Sequence, residues 1–238
     1  VGKGINEGAS VKWFRQGRGT RDEAAGVVPL SGVVKSAGAP RPAPRTLSAG
    51  GPVLQRIDGD GDQVAGITTG AGPVILDITH QGAGHFVVDA LDASLRSESQ
   101  LVYTDGPFTC RALINADDRH VRALRVPGDG PWAIEATGVS SALVLDGVAR
   151  RPASDVLRYE GGPGIATFRY EGDPRSEDGG YFLVDTFERD GNGFLDELAN
   201  HVGPWRGEAP LTGPCLVYAR SDGPWSVSVR PMEGSGSS

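Results

Sequence analysis

The string Asp58-Gly59-Asp60-Gly61-Asp62 sets three carboxylates at alternate positions with glycine between them. Such a stretch can wrap oxygen ligands round a Ca²⁺ ion, because carboxylates are hard donors and glycine lets the backbone bend. A second acidic turn, Glu188-Arg189-Asp190-Gly191-Asn192-Gly193, offers Glu188, Asp190 and Asn192 in the same sense. Neither completes an EF-hand loop: the twelfth position, where a bidentate glutamate belongs, is Thr69 counted from Asp58 and Ala199 counted from Glu188. Asn-Gly is also the strongest short hairpin signal. Two solvated turns are therefore expected, with Ca²⁺ the only cofactor the sequence suggests.

Other reactive constellations fail on spacing. His80, His85, His120 and His201 are not set at zinc-ligand intervals, and the two cysteines are scattered. His85 precedes an inward Phe86 and should face solvent. There is no Gly-x-Ser-x-Gly elbow, and Gly82-Ala83-Gly84 lacks a third glycine opening a helix. The expectation is that the chain is not an enzyme. Trp132 and Trp225 are the aromatic faces a sugar could stack on, but each begins an alternating strand and is expected to plug the core. Trp205, and Phe108 at the matching place, are further candidates for exposure. Trp13-Phe14, flanked by Lys12 and Arg15 with Arg18 close behind, forms a better apolar and basic anchor.

Charge is uneven. Residues 1–45 hold eight Lys/Arg and three acids, a net of +5, which leaves −12 for the rest of a chain whose total is −7. A basic arm ahead of an acidic body implies a protein partner or self-association through that arm. Nucleic-acid binding by the body is not expected, since phosphate neutralisation requires a positive face. No run approaches the length of a membrane span. Cys110 and Cys215 stand at non-equivalent places in the repeat described next, and are expected to be reduced and buried rather than paired. Residue 1 is Val with no basic and apolar leader after it, so either a signal has been removed or this is a segment of something longer; a cytoplasmic setting is slightly favoured.

The elements that position these residues come from an internal repeat. Gly84, Phe86, Val88 and Asp89, then Gly106-Pro107, then Asp129-Gly130-Pro131-Trp132 return as Gly180, Phe182, Val184 and Asp185, Gly203-Pro204, and Asp222-Gly223-Pro224-Trp225, at offsets of 96, 97 and 93. Val74, Leu76 and Ile78 alternate with Ile75, Asp77 and Thr79, the pattern of a strand buried on one face. Phe194, Leu195, Leu198, Ala199 and Val202 match helical spacing, yet their repeat partner, residues 97–105, reads as a strand, so the repeat predicts strand for both. Thirty-six Gly and seventeen Pro put turns between short elements. The fold class expected is all-β, with two tandem antiparallel β-sandwich, jelly-roll-like modules. The expected division is a Gly/Pro-rich arm and linker over 1–50, a first module over 51–138, a second over 139–232, and a tag-like Gly/Ser tail over 233–238.

A Gly-Pro start into an alternating strand, Thr79-His80-Gln81-Gly82, Gly84-x-Phe86-x-Val88, a Gly106-Pro107 turn and a closing Asp129-Gly130-Pro131-Trp132 strand follow one another in residues 52–138. This succession resembles a small β-sandwich module of actinobacterial proteins, some copies of which accompany TerD-type tellurium-resistance domains. Residues 140–231 follow the same order more loosely, with Arg169-Tyr170-Glu171-Gly172 in place of Thr79-His80-Gln81-Gly82. The resemblance implies a fold and a stress-response setting, and assigns no site residue. Gly4-Ile5-Asn6-Glu7-Gly8-Ala9-Ser10-Val11 is weakly similar to the start of the tellurium-resistance domain, which nothing after it continues.

The function expected is a non-enzymatic binding or scaffolding protein linked to such a stress-response system. The alternative is a calcium-dependent carbohydrate-binding module pair of a longer extracellular protein. An enzyme with one active site between the modules would instead require Asp89 and Asp185 to face each other.

Overall fold

The computed structural model describes residues 51–117 and 119–232. These form seventeen β-strands, and the only helical piece among the described residues is a single 3₁₀ turn at Val139–Ser141. No helix among them is long and apolar enough to cross a membrane. Trp13, Phe14, Arg15 and Arg18, the rest of the arm and the tail lie outside the described residues.

The first half runs β1 (Val53–Asp60), β2 (Gln63–Gly66), β3 (Val74–His80), β4 (His85–Leu91), β5 (Ser97–Asp105), β6 (Phe108–Ile114), β7 (Ala123–Val126) and β8 (Pro131–Gly138). They pair as two antiparallel sheets, β1-β8-β3-β6 and β2-β7-β4-β5. The second half runs β9 (Leu143–Val144), β10 (Val148–Arg151), β11 (Asp155–Tyr159), β12 (Gly164–Tyr170), β13 (Tyr181–Phe187), β14 (Phe194–Val202), β15 (Trp205–Leu211), β16 (Cys215–Ser221) and β17 (Trp225–Pro231). Its sheets are β10-β17-β12-β15 and β14-β13-β16-β11-β9, the last pair parallel. Leaving out β9, the strand order of one half maps onto that of the other, and the chain passes back and forth between sheets as in a jelly roll. The segment 194–202 is a strand, pairing antiparallel with Tyr181–Phe187, which decides between its helical spacing and its repeat partner in favour of the latter.

The repeated residues recur in the same local contacts. Trp132 pairs in register with His80, and Trp225 with Tyr170. Phe86, Phe182, Trp132 and Trp225 are all buried, so both tryptophans are core residues and not platforms. Gln81 N–H donates to Pro131 O and Glu171 N–H to Pro224 O, each at 2.9 Å. Gly106 and Gly203, at φ of 80° and 79°, each donate back to the glycine before the inward Phe, Gly84 and Gly180. A left-handed backbone at the turn is what makes glycine the residue of choice there.

One expectation needs correcting. Strand β3 is not buried on one face only: Ile75 and Asp77 on its outward side are buried as well as Leu76 and Ile78 inside. The reason is that the second half covers the first. One continuous apolar cluster contains Ile75, Leu113 and Ile114 together with Ala153, Val156, Phe187, Leu216 and Tyr218 of the second half. Strand β6 is the edge of its sheet, and its outward Arg111 N–H donates to Ser154 O at 2.9 Å across the seam. Such covering removes an unpaired edge that would otherwise invite association. The second half keeps a separate internal cluster round Phe168, Tyr170, Phe182 and Trp225.

Candidate functional site

A row of charges crosses the seam. The register of β1, β8, β3 and β6 places Arg56 beside Glu135, Glu135 beside Asp77 and Asp77 beside Arg111. Beyond β6 the row continues into the second half with Asp155 and Arg151. Burial deepens towards the middle: the Arg56 side chain is 53% exposed and that of Arg111 is 0%. Arg111 Nε lies 3.0 Å from Asp77, Nη1 lies 3.5 Å from Asp155, and Nη2 donates to the backbone and hydroxyl oxygens of Ser141 at 3.0 Å. The Ser141 hydroxyl also bonds Thr137 Oγ1 at 2.7 Å. Burial pushes the carboxyls of Asp77 and Asp155 above their ordinary range, against the pull of Arg111. A charge with no solvent persists only where opposite charges lie close to it, and this row supplies them from both halves.

Next to the row a cleft of about 240 Å³ opens between the halves. The first half contributes Glu98–Leu101 of β5, the end of β6 and the loop carrying Asn115, Asp117 and Arg119; the second contributes Asp185, Phe187, Phe194, Glu197, Tyr218 and Arg220. Its walls include β5 and β14, which are edge strands. Asn115 and Asp117 are left-handed, at φ of 57° and 54°, the Asn115 side chain accepts from Val121 N–H at 2.8 Å, and Asp117 N–H donates to Gly191 O at 3.4 Å. Non-glycine residues held there mark a backbone that its surroundings over-determine. At the base, Arg220 donates to Asp185 and lies 5.7 Å from the centroid of the Tyr218 ring. Burial raises the Asp185 carboxyl above its usual range and pushes the Tyr218 hydroxyl up to about 12.

Asp89 and Asp185 are each tied to an arginine of their own sheet, Arg125 at 2.7 Å and Arg220 respectively. Asp58 is held by Arg56, while Asp62 accepts from Gly128 N–H at 2.9 Å. Asp60 ends β1 opposite Pro131. Glu188, Asp190 and Asn192 form the hairpin turn between β13 and β14, closed by Glu188 N–H to Gly193 O and by Asn192 N–H to the Asp190 side chain. Among the described residues no group of three or more His, Cys, Asp or Glu is placed to hold a metal ion. The turn has a different use: Gly191 lies against Pro73 and Leu216, where a Cβ would come within 2.8 Å of Pro73, so it packs the second half onto the first.

Trp205 is half-buried, stacked on His201 at 4.3 Å and packed near Phe182, which leaves only part of its face for a ligand. Phe108 is likewise half-buried. Cys110 and Cys215 are free and buried. His80 is buried, with both ring nitrogens 2.8 Å from backbone carbonyls, whereas His85 is exposed beside Asp105. Sequence reasoning missed Arg111, Asp155, Glu98, Glu197 and Tyr218. A signal existed for the first: an arginine inside the apolar run Cys110-Arg111-Ala112-Leu113-Ile114.

No protein-family model matches this chain, and no curated protein matches it in sequence.

Proposed function

We infer that the protein is a non-enzymatic binding or scaffolding protein, built as two copies of one β-sandwich module in tandem. The observation that carries this reading is the seam: Arg111, Asp77 and Asp155 are spent on holding the halves together, and among the described residues the cleft beside them presents no paired acid and base or activated nucleophile. A rigid frame with an open cleft suits recognition. The basic segment 1–45 supplies a second contact, with a protein partner or with another copy, through Trp13, Phe14, Arg15 and Arg18. On the resemblance of the module order, we place this activity in a tellurium-resistance-type stress response. The calcium-dependent carbohydrate reading has less support, because Asp58 and Asp62 are already engaged and Trp132 and Trp225 are inside.

Sedimentation of the full chain and of a chain lacking residues 1–25 tests the scaffolding reading. Loss of self-association or of partner recovery, with the far-ultraviolet spectrum of the strands unchanged, is the expected outcome. Identical behaviour of the two chains would contradict a role for the arm.

A further inference from the structure

We propose that the cleft between the halves takes the side chain of a lysine or arginine carried by an extended segment of a partner protein. Its lining is acidic: Glu98, Asp117, Asp185 and Glu197 stand against Arg119 and Arg220. Arg220 is committed to Asp185. Among the described residues no ion pair engages Glu98, Asp117 or Glu197. These acids are exposed at the rim, so their field reaches solvent.

Two further features point to an occupant and not to a merely solvated acidic face. Tyr218 is 4% exposed, lines the cleft, and its hydroxyl has no hydrogen-bond partner. The Leu113 backbone approaches that oxygen. A buried hydroxyl left unpaired is costly, and a donor entering the cleft would satisfy it. Aromatic surface accompanies the charge: Phe187 and Phe194 line the cleft and meet edge to face at 5.9 Å, and Phe194 is exposed on β14. Acids and aromatic rings together suit a long side chain with an apolar stem and a cationic head. A volume of about 240 Å³ has room for one such side chain. Strands β5 and β14, unpaired on their outer sides among the described residues, give the backbone on either side of it a strand to pair with.

This inference rests on the reading that the protein binds and does not catalyse, and the two can fail separately. The test is calorimetric and NMR titration of the full chain with capped five-residue peptides, valine and threonine flanking a central lysine, arginine or glutamine. The lysine and arginine peptides should bind, shift the amides of Glu98–Leu101 and of the 115–121 loop, and bind more weakly as salt is raised. Glu98→Gln and Glu197→Gln, both exposed and compatible with folding, should each weaken binding about tenfold, the scale of one charge-assisted contact. Tyr218→Phe should weaken it less. Equal affinity for the glutamine peptide, no binding at all, or wild-type affinity in the Glu98→Gln/Glu197→Gln double variant would overturn the proposal and leave the scaffolding reading standing. Recovery of a chemically altered peptide by mass spectrometry would instead contradict the non-enzymatic reading and leave the cleft as the site.

Discussion

His80 lies flat on Phe86, ring centroids 4.3 Å apart and planes inclined by 6°, and its two ring nitrogens each sit 2.8 Å from a backbone carbonyl, Gly106 O and Asp129 O. At the matching place in the second half, Tyr170 stacks on Phe182 at 5.0 Å and 8°, and its hydroxyl donates to Gly179 O at 3.0 Å. The two halves thus solve one problem with different side chains. An aromatic layer closes the end of the sandwich, and its polar atoms tie down the turns that pass over it.

That arrangement gives the first prediction. His80→Phe should keep the stack and strand the part-buried carbonyl that the imidazole N–H serves, at about 1–3 kcal/mol, whereas His80→Ala should also lose the ring contact, about 0.5–1.5 kcal/mol more. Chemical denaturation measures both. A neutral His80→Phe would show that water satisfies that carbonyl and that the histidine is only a packing residue.

The seam gives the second. Asp155→Ala leaves Arg111 buried with one carboxylate fewer, and breaking a buried pair from one side costs about 3–5 kcal/mol. Changing Arg111→Met, Asp77→Leu and Asp155→Leu together should recover most of that stability, since the desolvation of all three charges disappears with their attraction. A triple variant less stable than Asp155→Ala alone would mean that the row contributes net stability and not only specificity.

The third concerns pH. Burial raises the carboxyls of Asp77, Asp155 and Asp185, so the folded chain holds those protons more tightly than the unfolded one. Their contribution is fully present below the ordinary carboxylate range and is lost as pH rises through the raised values. Asp58, bonded to Arg56, and Asp190, bonded to the Asn192 amide, are lowered and act the other way, losing their contribution as pH falls through their folded values. Stability should therefore increase as pH drops from neutral into the mildly acidic range, then fall below it. Asp77→Asn should flatten the neutral limb. A steady rise in stability from mildly acidic to neutral pH would contradict the assignment.

How far the residues alone revealed this structure depends on whether a contact is local or crosses the seam. The repeat identifies β5 and β14 as strands although Leu195, Leu198, Ala199 and Val202 follow helical spacing, because the period of the partner segment carries independent information. It also places Phe86, Phe182, Trp132 and Trp225 inside. Alternation in β3 suggests one buried face because periodicity reports only the core nearest in sequence; the second covering comes from residues some eighty positions later, such as Val156. The acidic turns look like metal loops for the same reason. What occupies Asp58 is a strand neighbour, Arg56, and what the Gly191 turn meets is Pro73 of the other half. Glu98 and Glu197 carry no sequence signal, since a cleft between halves is a product of docking.

The most direct test of the account is whether the halves form one rigid frame. Backbone residual dipolar couplings, measured in solution for amides of residues 53–138 and 143–231, report the orientation of each half independently. A single alignment tensor should fit both sets to this structure, and Asp155→Ala should split it in two. Two differing tensors for the unaltered chain would contradict a locked seam and, with it, a cleft of fixed shape.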